Sequence, residues 1–331
     1  MNNFFAGKAR VRRTLFTAIA ALALASFSSL ATAAYPDRPI KMVVAYPPGG
    51  STDVIARVLA QRLGDRLGQP VVVENRAGAA GMIGTDYVAK SAADGYTIQF
   101  TAADTHSMNP HVYPKITYDS RKDFMPIGQV GALPIALIVN PSVQARNVSE
   151  FLALARKNPG KMTYASFGVG SSSQVAMEML KVETKIDLLH VPFQGAAPAI
   201  AAIMGGQVDA MMVPLTLALP NDAAGKVRLL GVATPKRYAG APNAPTFAEQ
   251  GVRLDSAPWV GILAPARIPQ DVADRLNREI SAVLQDASVR ETLMKNGVDP
   301  ATSSQAAFKS LLDLEYDRWG ATIKAAQIKV D

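Results

Sequence analysis

The chain has 331 residues, which is enough for two domains and for an apolar core that needs neither metals nor disulfides. A hydrophobic fraction of 49% and a charged fraction of 18% exclude a disordered chain. The absence of cysteine excludes disulfides, thiolate nucleophiles and cysteine-bound metal centres, whereas a formal net charge of +7 by itself favours a polyanionic partner.

Most of that charge belongs to the N-terminal segment. Four basic residues precede an uncharged stretch that ends in Ala31-Thr32-Ala33; they are Lys8, Arg10, Arg12 and Arg13. This order predicts a signal peptide over residues 1–33, cleaved near Ala33, and export out of the cytoplasm by either the Sec or the twin-arginine route. The alternative is a membrane anchor, but the stretch is short for a spanning helix. Without the four cations the charge falls to +3, and no basic run with interleaved aromatic residues remains, so nucleic-acid binding is not expected.

Short β-branched or apolar runs alternate with helical patterns in the first half of the mature chain. The expected elements are strands at 40–46, 71–74 and 96–101, helices at 53–67 and 82–90, and a glycine-rich turn at 77–81. A polar loop follows at 101–110. An apolar passage at 127–140, broken by Gly131 and Pro134, predicts a strand pair or a crossover into a second sheet.

The alternation restarts beyond this passage. The expected elements are helices at 149–157, 172–183 and 197–204, strands at 162–166, 188–191, 208–213 and 227–233, an apolar passage at 259–264, and helices at 271–284, 287–296 and 304–325. The last helices have no strands of their own, so we expect them to pack on the first sheet. The pattern predicts an α/β fold with mainly parallel sheets, in which residues 34–133 and 258–331 form domain 1 and residues 134–257 form domain 2.

Two loops between a strand and a helix are candidate ligand sites. They are Tyr46-Pro47-Pro48-Gly49-Gly50-Ser51-Thr52-Asp53 and Ser166-Phe167-Gly168-Val169-Gly170-Ser171-Ser172-Ser173. Glycine lets the backbone approach a ligand, while capping hydroxyls and the free N–H groups of a helix start favour an anion. One such start in each domain is typical of a cleft that closes on a small anionic ligand. The alternative is that each loop is only a tight turn with a helix cap.

Signatures of catalysis or metal binding are few. Asp104, His106 and His111 are conceivable metal ligands, but a proline interrupts any helical face that would join the two histidines, so no metal site is expected. Walker A, H-E-x-x-H and G-x-S-x-G motifs do not occur in the sequence. The sequence does not exclude a catalytic triad of Ser171, Asp53 and His106, because the members of a triad come together in space and not along the sequence.

Several short motifs, in a fixed order along the mature chain, point to a known family. They include Tyr35-Pro36-Asp37-Arg38-Pro39-Ile40, Pro47-Pro48-Gly49-Gly50, Val73-Glu74-Asn75-Arg76, Asp94-Gly95-Tyr96-Thr97, Asn158-Pro159-Gly160-Lys161, Val191-Pro192-Phe193-Gln194-Gly195 and Trp259-Val260-Gly261. Together they resemble the Bug receptors, the substrate-binding proteins of tripartite tricarboxylate transporters. The resemblance covers nearly the whole mature chain.

This resemblance implies a two-domain periplasmic binding protein of the type with two interdomain crossings and a ligand cleft between the domains. The expected ligand is a small carboxylate, either an organic acid or an amino acid, delivered to a large and a small membrane subunit by a monomeric receptor. We expect no enzymatic activity, cofactor or metal. The implied ligand-binding residues are Tyr46, Pro48, Gly49, Gly50, Ser51, Asp53, Asp104, Thr105, His106, Gly170, Ser171, Ser172, Gln194 and Gly195.

Three positions depart from the family pattern: Asp104 stands where Asn or Ser is common, Gln174 where His is common, and Pro214 where Asp or Asn is common. A carboxylate near an anion site is costly unless a cation or a proton offsets it. We therefore hypothesise that Asp104 selects a ligand with an ammonium beside its carboxylate; otherwise Asp104 only caps a turn or a helix. His190, in an apolar run, is expected to be a core residue. Two alternative functions are an exported hydrolase that uses His106 and a serine, and a ligand sensor for a membrane kinase.

Overall fold

The computed structural model describes residues 35–329. The predicted signal peptide, residues 1–33, lies outside the described residues. Among residues 35–329, no helix combines the length and the apolar character that a membrane crossing requires.

Strands and helices alternate along the described chain. The strands are β1 (Ile40–Val44), β2 (Val71–Asn75), β3 (Thr97–Ala102), β4 (Phe124–Ala132), β5 (Ile135–Val139), β6 (Thr163–Ser166), β7 (Leu189–Pro192), β8 (Ala210–Pro214), β9 (Arg228–Val232), β10 (Trp259–Pro265) and β11 (Asp299–Pro300). The helices are α1 (Ser51–Leu67), α2 (Met82–Ala89), α3 (Asn109–Val112), α4 (Val148–Lys157), α5 (Ser172–Thr184), α6 (Ala196–Met204), α7 (Leu215–Ala223), α8 (Gln270–Gln285), α9 (Ala287–Lys295) and α10 (Gln305–Ala325). Short 3-10 turns lie at Ala79–Gly81 and Ala248–Gln250, and a π-helical turn at Asp104–Met108.

The strands form two mixed sheets, and the part of the chain built on each sheet is called a lobe below. The sheet of the first lobe has the order β11-β4-β10-β3-β1-β2, and that of the second lobe has the order β7-β6-β8-β5-β9. β1 is parallel to β2 and β3, and β6 is parallel to β7 and β8, whereas β10 and β5 run antiparallel to both of their neighbours. The expectation of mainly parallel sheets therefore fails at β5 and β10. Each of these strands enters its sheet directly from the other lobe, not through a crossover helix that would restore the parallel direction.

The chain passes between the sheets twice. The first crossing joins β4 to β5, the second joins β9 to β10, and the two crossings are hydrogen-bonded to each other. The N–H of Leu133 donates to the carbonyl of Pro258 at 2.9 Å, and the N–H of Ile135 donates to the carbonyl of Ser256 at 3.0 Å. These features confirm the α/β, two-domain binding-protein fold with two crossings. The domain bounds at residues 133/134 and 257/258 stay a prediction.

The C-terminal helices pack on the first sheet, as the sequence analysis expects. Both α8 and α10 contact β4. Trp259 of β10 and Phe308 and Trp319 of α10 are buried in one apolar cluster, in which the rings of Trp259 and Phe308 meet edge to face at 5.4 Å. Burial of such large side chains supplies the main driving force that holds this helical block in place.

The segment after β3, expected to be a polar loop, is helical. The π-helical turn Asp104–Met108 continues into α3, and Pro110 lies within the first turn of α3. Proline is tolerated there because the first N–H groups of a helix have no intrahelical partner. The segment therefore keeps its polar side chains in a fixed helical array.

A close contact between α2 and β1 fixes the point at which the first loop begins. A Cβ on Gly84 of α2 would lie 2.6 Å from the carbonyl oxygen of Arg76 and 2.9 Å from the Cα of Ala45. Ala45 directly precedes Tyr46, so this helix sets the position of the loop through its backbone.

We predict that Gly84→Ala lowers the free energy of unfolding by about 1–3 kcal/mol, because the added methyl group forces the helix away from β1. Gly64→Ala on α1 is the matched control: its nearest neighbour would lie at 3.4 Å, and alanine favours a helix. Urea unfolding of the mature protein measures both. Equal midpoints for the two variants would contradict the importance of this contact.

Candidate functional site

The first loop, Tyr46–Ser51, is held from behind by a hydrogen-bonded network. Asp53 accepts from the N–H of Gly49 at 3.0 Å and from Arg57 Nε at 3.1 Å. The amide of Asn75 donates to Asp53 Oδ1 at 2.9 Å and to the carbonyl of Tyr46 at 3.1 Å. Burial opposes ionisation of Asp53, but these hydrogen bonds and the charge of Arg57 hold its pKa below the ordinary value. The carboxylate of Asp53 thus shapes the loop from behind.

The helix that follows the first loop begins without a side-chain cap. Gly50 is the N-cap residue of α1, so the capping by Ser51 or Thr52 that the sequence suggests does not occur. The hydroxyls of Tyr46 and Ser51 are both buried, and neither has a hydrogen-bond partner within residues 35–329. A buried hydroxyl without a partner is costly, and a polar ligand would satisfy it. Pro48 of this loop is exposed.

The second loop, Gly168–Ser172, meets the first lobe directly. Gly170 has a φ of +77°, and a Cβ on it would lie 2.8 Å from Val112, so both conformation and space require glycine. The hydroxyl of Tyr113 donates to the carbonyl of Val169 at 2.8 Å. Ser171 caps α5 and also donates to the carbonyl of Gly168 at 2.7 Å.

Asp104 reaches from the first lobe to the start of α5 in the second. Its Oδ1 accepts a hydrogen bond from the N–H of Ser172 at 2.7 Å. Burial raises the pKa of Asp104, while the hydrogen bond from Ser172 opposes that shift. No cationic side chain of residues 35–329 forms an ion pair with this carboxylate. The first loop also meets the opposite lobe, because a Cβ on Gly195 would lie 3.5 Å from Pro47. Both loops of the site therefore touch the opposite lobe, and the line along which the two lobes meet is called the seam below.

Thr105 and His106 point into the first lobe. Thr105 Oγ1 lies 2.7 Å from Thr101 Oγ1 and 2.8 Å from His106 Nδ1. The His106 ring packs edge-on against Phe124 at 4.6 Å, and burial lowers its pKa to about 3. Within residues 35–329, His106 Nε2 has no hydrogen-bond partner, and no serine hydroxyl pairs with this ring. The arrangement gives the hydrolase alternative no support.

Gln194 and His190 both lie near the second loop but differ in exposure. Gln194 is exposed beside Gly195, at the edge of the seam. No group of three or more metal-binding side chains occurs among the described residues. His190, expected to be a core residue, lies on β7 and is only partly buried, with hydrogen bonds at both ring nitrogens. No sequence motif indicates that His190 or Tyr113 supports the site. Their closeness to the second loop is visible only in the three-dimensional structure.

The comparisons with known proteins agree with one another. Residues 55–328 match a family model described as the tripartite tricarboxylate transporter family receptor. Protein BugT of Bordetella pertussis is 35% identical over 298 residues, which cover 89% of this chain and 91% of BugT.

Two solved structures with bound ligands are also similar to this chain. R. palustris Rpa4515 with adipate aligns with a TM-score of 0.87 at 32% identity, covering 89% of this chain and 100% of that chain. MatC (Rpa3494) from Rhodopseudomonas palustris with bound malate aligns with a TM-score of 0.80 at 30% identity, covering 87% of this chain and 100% of that chain. The family match, the identity to BugT and these folds together show that the chain belongs to the Bug receptors, the tripartite tricarboxylate transporter receptor family.

Proposed function

We propose that this protein is a periplasmic receptor that holds a small carboxylate in the seam between its two lobes and delivers it to the membrane subunits of a tripartite tricarboxylate transporter. The observation that carries the proposal is that each of the two loops meets the opposite lobe along one seam. Pro47 of the first loop lies beside Gly195, and Ser172 of the second loop is bonded to Asp104. Helix starts bind anions through free N–H groups. Adipate and malate, the ligands of the two related structures, are small carboxylates.

The proposed contacts divide by their position. The hydroxyls of Tyr46 and Ser51 and the backbone of the first loop, at Pro48, Gly49 and Gly50, bind the carboxylate from the first lobe. The second lobe contributes Gly170, Ser171 and Ser172, with Gln194 and Gly195 at the edge. Asp53, Thr105 and His106 support these segments from behind, since their polar atoms bond within the first lobe.

Binding and release require no covalent step, so the proposal includes no catalytic residue and no cofactor. The receptor acts as a monomer after removal of its signal peptide, and the closed lobes present one joint surface to a large and a small membrane subunit. Adjacent genes for two such subunits would support transport. A neighbouring gene for a membrane kinase would instead support the sensor alternative.

We predict that carboxylates, and not their uncharged amides, stabilise the mature protein in a thermal-shift screen. A ligand at 100 times its dissociation constant adds about 2.7 kcal/mol to the free energy of unfolding. The screen should pair each acid with its amide, for example adipate with adipamide. Stabilisation by another class of compound, with no shift from any carboxylate, would contradict the proposal.

We further predict that Ser51→Ala weakens carboxylate binding by about tenfold with little change in the free energy of unfolding, because its hydroxyl has no protein partner to lose. Ser256→Ala is the matched control. The Ser256 hydroxyl is equally buried and unpartnered among the described residues, but lies on the second crossing. Isothermal titration should show lower affinity only for Ser51→Ala; an equal effect of both substitutions would argue against a ligand contact at Ser51.

Asp104 bears on which carboxylate is bound. Its partly buried charge lacks a cation among the described residues, and it accepts a hydrogen bond from the backbone N–H of Ser172. A ligand with an ammonium group beside its carboxylate would supply that cation. A dicarboxylate would instead add negative charge next to Asp104. This contrast favours an amino acid over a plain dicarboxylate.

Asp104→Asn tests this preference, because asparagine keeps an acceptor for the N–H of Ser172 and removes only the charge. Glutamate and glutarate are suitable probes, since they differ only in the ammonium group. We predict that the ratio of their affinities shifts by about tenfold or more towards glutarate in the variant. A ratio that stays the same in titrations of both proteins would mean that Asp104 is only a helix cap.

A further inference from the structure

A hydrogen-bond chain runs behind the second loop and joins two of its glycines. The N–H of Gly170 donates to Gln174 Oε1 at 2.7 Å, and Gln174 Nε2 lies 3.2 Å from His190 Nδ1. His190 Nε2 lies 2.6 Å from Ser166 Oγ. Ser166 Oγ donates to the carbonyl of Gly168 at 3.1 Å and accepts from its N–H at 3.2 Å. The imidazole therefore links the first residue of the loop, Gly168, to its middle residue, Gly170.

The chain has a fixed direction, because its first donor is a backbone N–H. Gly170 can only donate, so the Gln174 side chain must turn its oxygen to Gly170 and its NH₂ to His190. An NH₂ group can only donate as well, so Nδ1 of His190 must be an unprotonated acceptor. The single ring proton then lies on Nε2 and is donated to Ser166, whose own proton goes to the carbonyl of Gly168. Protonation of Nδ1 would place two donors face to face.

The surroundings of His190 favour this neutral form. The ring stacks on Tyr164, with centroids 4.8 Å apart and planes 16° apart. Burial lowers the pKa of His190 to about 4; the charge of Glu178 opposes this shift, and that of Lys181 adds to it. The hydroxyl of Tyr164 bonds to Glu178, which also pairs with Lys181 at 2.9 Å, so these two charges largely satisfy each other.

We propose that His190 is a positioning residue for the second loop: its neutral ring, acting through Gln174 and Ser166, keeps the backbone of Gly168 and Gly170 in one conformation. Both glycines have positive φ, +133° and +77°, and glycine by itself has little preference for any of its allowed conformations. Bonds from outside the loop therefore add to the restraint that Ser171 supplies from within it at the carbonyl of Gly168. The inference depends on the proposed function only in that this loop is the one assigned to the ligand.

Hydrogen exchange in the mature protein tests this role without a ligand. His190→Phe keeps the ring stacked on Tyr164 but removes both nitrogens, so we expect exchange at the Gly168 and Gly170 amides to speed up by about tenfold or more. His111→Phe is the matched control. The His111 ring packs on Tyr316 at 4.4 Å and bonds to its carbonyl, all within the first lobe, so the same substitution there should leave the two amides unchanged. Unchanged exchange in His190→Phe would overturn the proposal.

A second measurement separates positioning from a merely structural role. Nitrogen NMR should find His190 of the native protein neutral at pH 6, with its proton on Nε2. Gln174→Glu replaces the NH₂ group with a carboxylate oxygen, which accepts a proton from Nδ1, so the pKa of His190 should rise by at least about one unit. A native His190 that is protonated at pH 6, or that carries its proton on Nδ1, would contradict the direction of the chain.

Titration with glutarate and glutamate distinguishes this inference from the proposed function. If the second loop binds the ligand, His190→Phe should weaken the binding of whichever probe the native protein binds, by about tenfold. Faster amide exchange with unchanged affinity would support the positioning role of His190 and contradict the assignment of the ligand to this loop.

Discussion

Backbone N–H groups at a helix start can bind an anion only when the loop before the helix is held still, and in the first lobe the carboxylate of Asp53 provides that restraint. It holds the N–H of Gly49 directly and the carbonyl of Tyr46 through Asn75. Arg57, whose side chain is 53% exposed, balances the charge from the solvent side, while Asp53 is only 6% exposed. Gly49, Arg57 and Asn75 thus offset the cost of burying the Asp53 charge. The side of the loop that faces away from Asp53 stays available for a ligand.

The second lobe meets the same requirement with neutral groups. Its loop is held by an amide, an imidazole and a hydroxyl, with the imidazole shielded on one side by Tyr164. A neutral network avoids another ionised group near the seam, where Asp104 already carries a carboxylate with no ion-pair partner among the described residues. The two lobes therefore hold their loops by different chemistry. Protonation would remove the negative charge of Asp53 and weaken the bonds that it accepts, whereas protonation of His190 would turn Nδ1 into a donor facing the NH₂ group of Gln174.

Local sequence patterns were sufficient for most of the fold. Alternating runs predicted the strands and helices, and the two apolar passages at 127–140 and 259–264 predicted the crossings, because each feature depends on neighbours within one element. α7 escaped prediction because Pro220 lies inside it and its apolar residues show no clear helical face. The direction of β5 and β10 depends on the other lobe, which no local pattern contains.

The sequence predicted the two loops of the site, but it did not predict which residues those loops contact. Glycines and hydroxyls marked both loops, yet the bond from Ser172 to Asp104 joins residues 68 positions apart, and the link from Gln174 to His190 spans two elements. For Asp53, Thr105 and His106, the residue type was compatible with ligand contact, and only the partners of their polar atoms show that they bond within the first lobe. Side-chain direction is set by packing, which the sequence alone leaves undetermined.

The paired crossings also limit how the lobes can move. Two separate tethers would permit both bending and twisting, but Leu133 and Ile135 are bonded to Pro258 and Ser256, so the tethers form a single two-stranded ribbon. Such a ribbon bends readily out of its plane, because its hydrogen bonds then keep their length, whereas shear within the plane would break them. Bending of this ribbon tilts one lobe towards the other, which is the motion that opens or closes the seam.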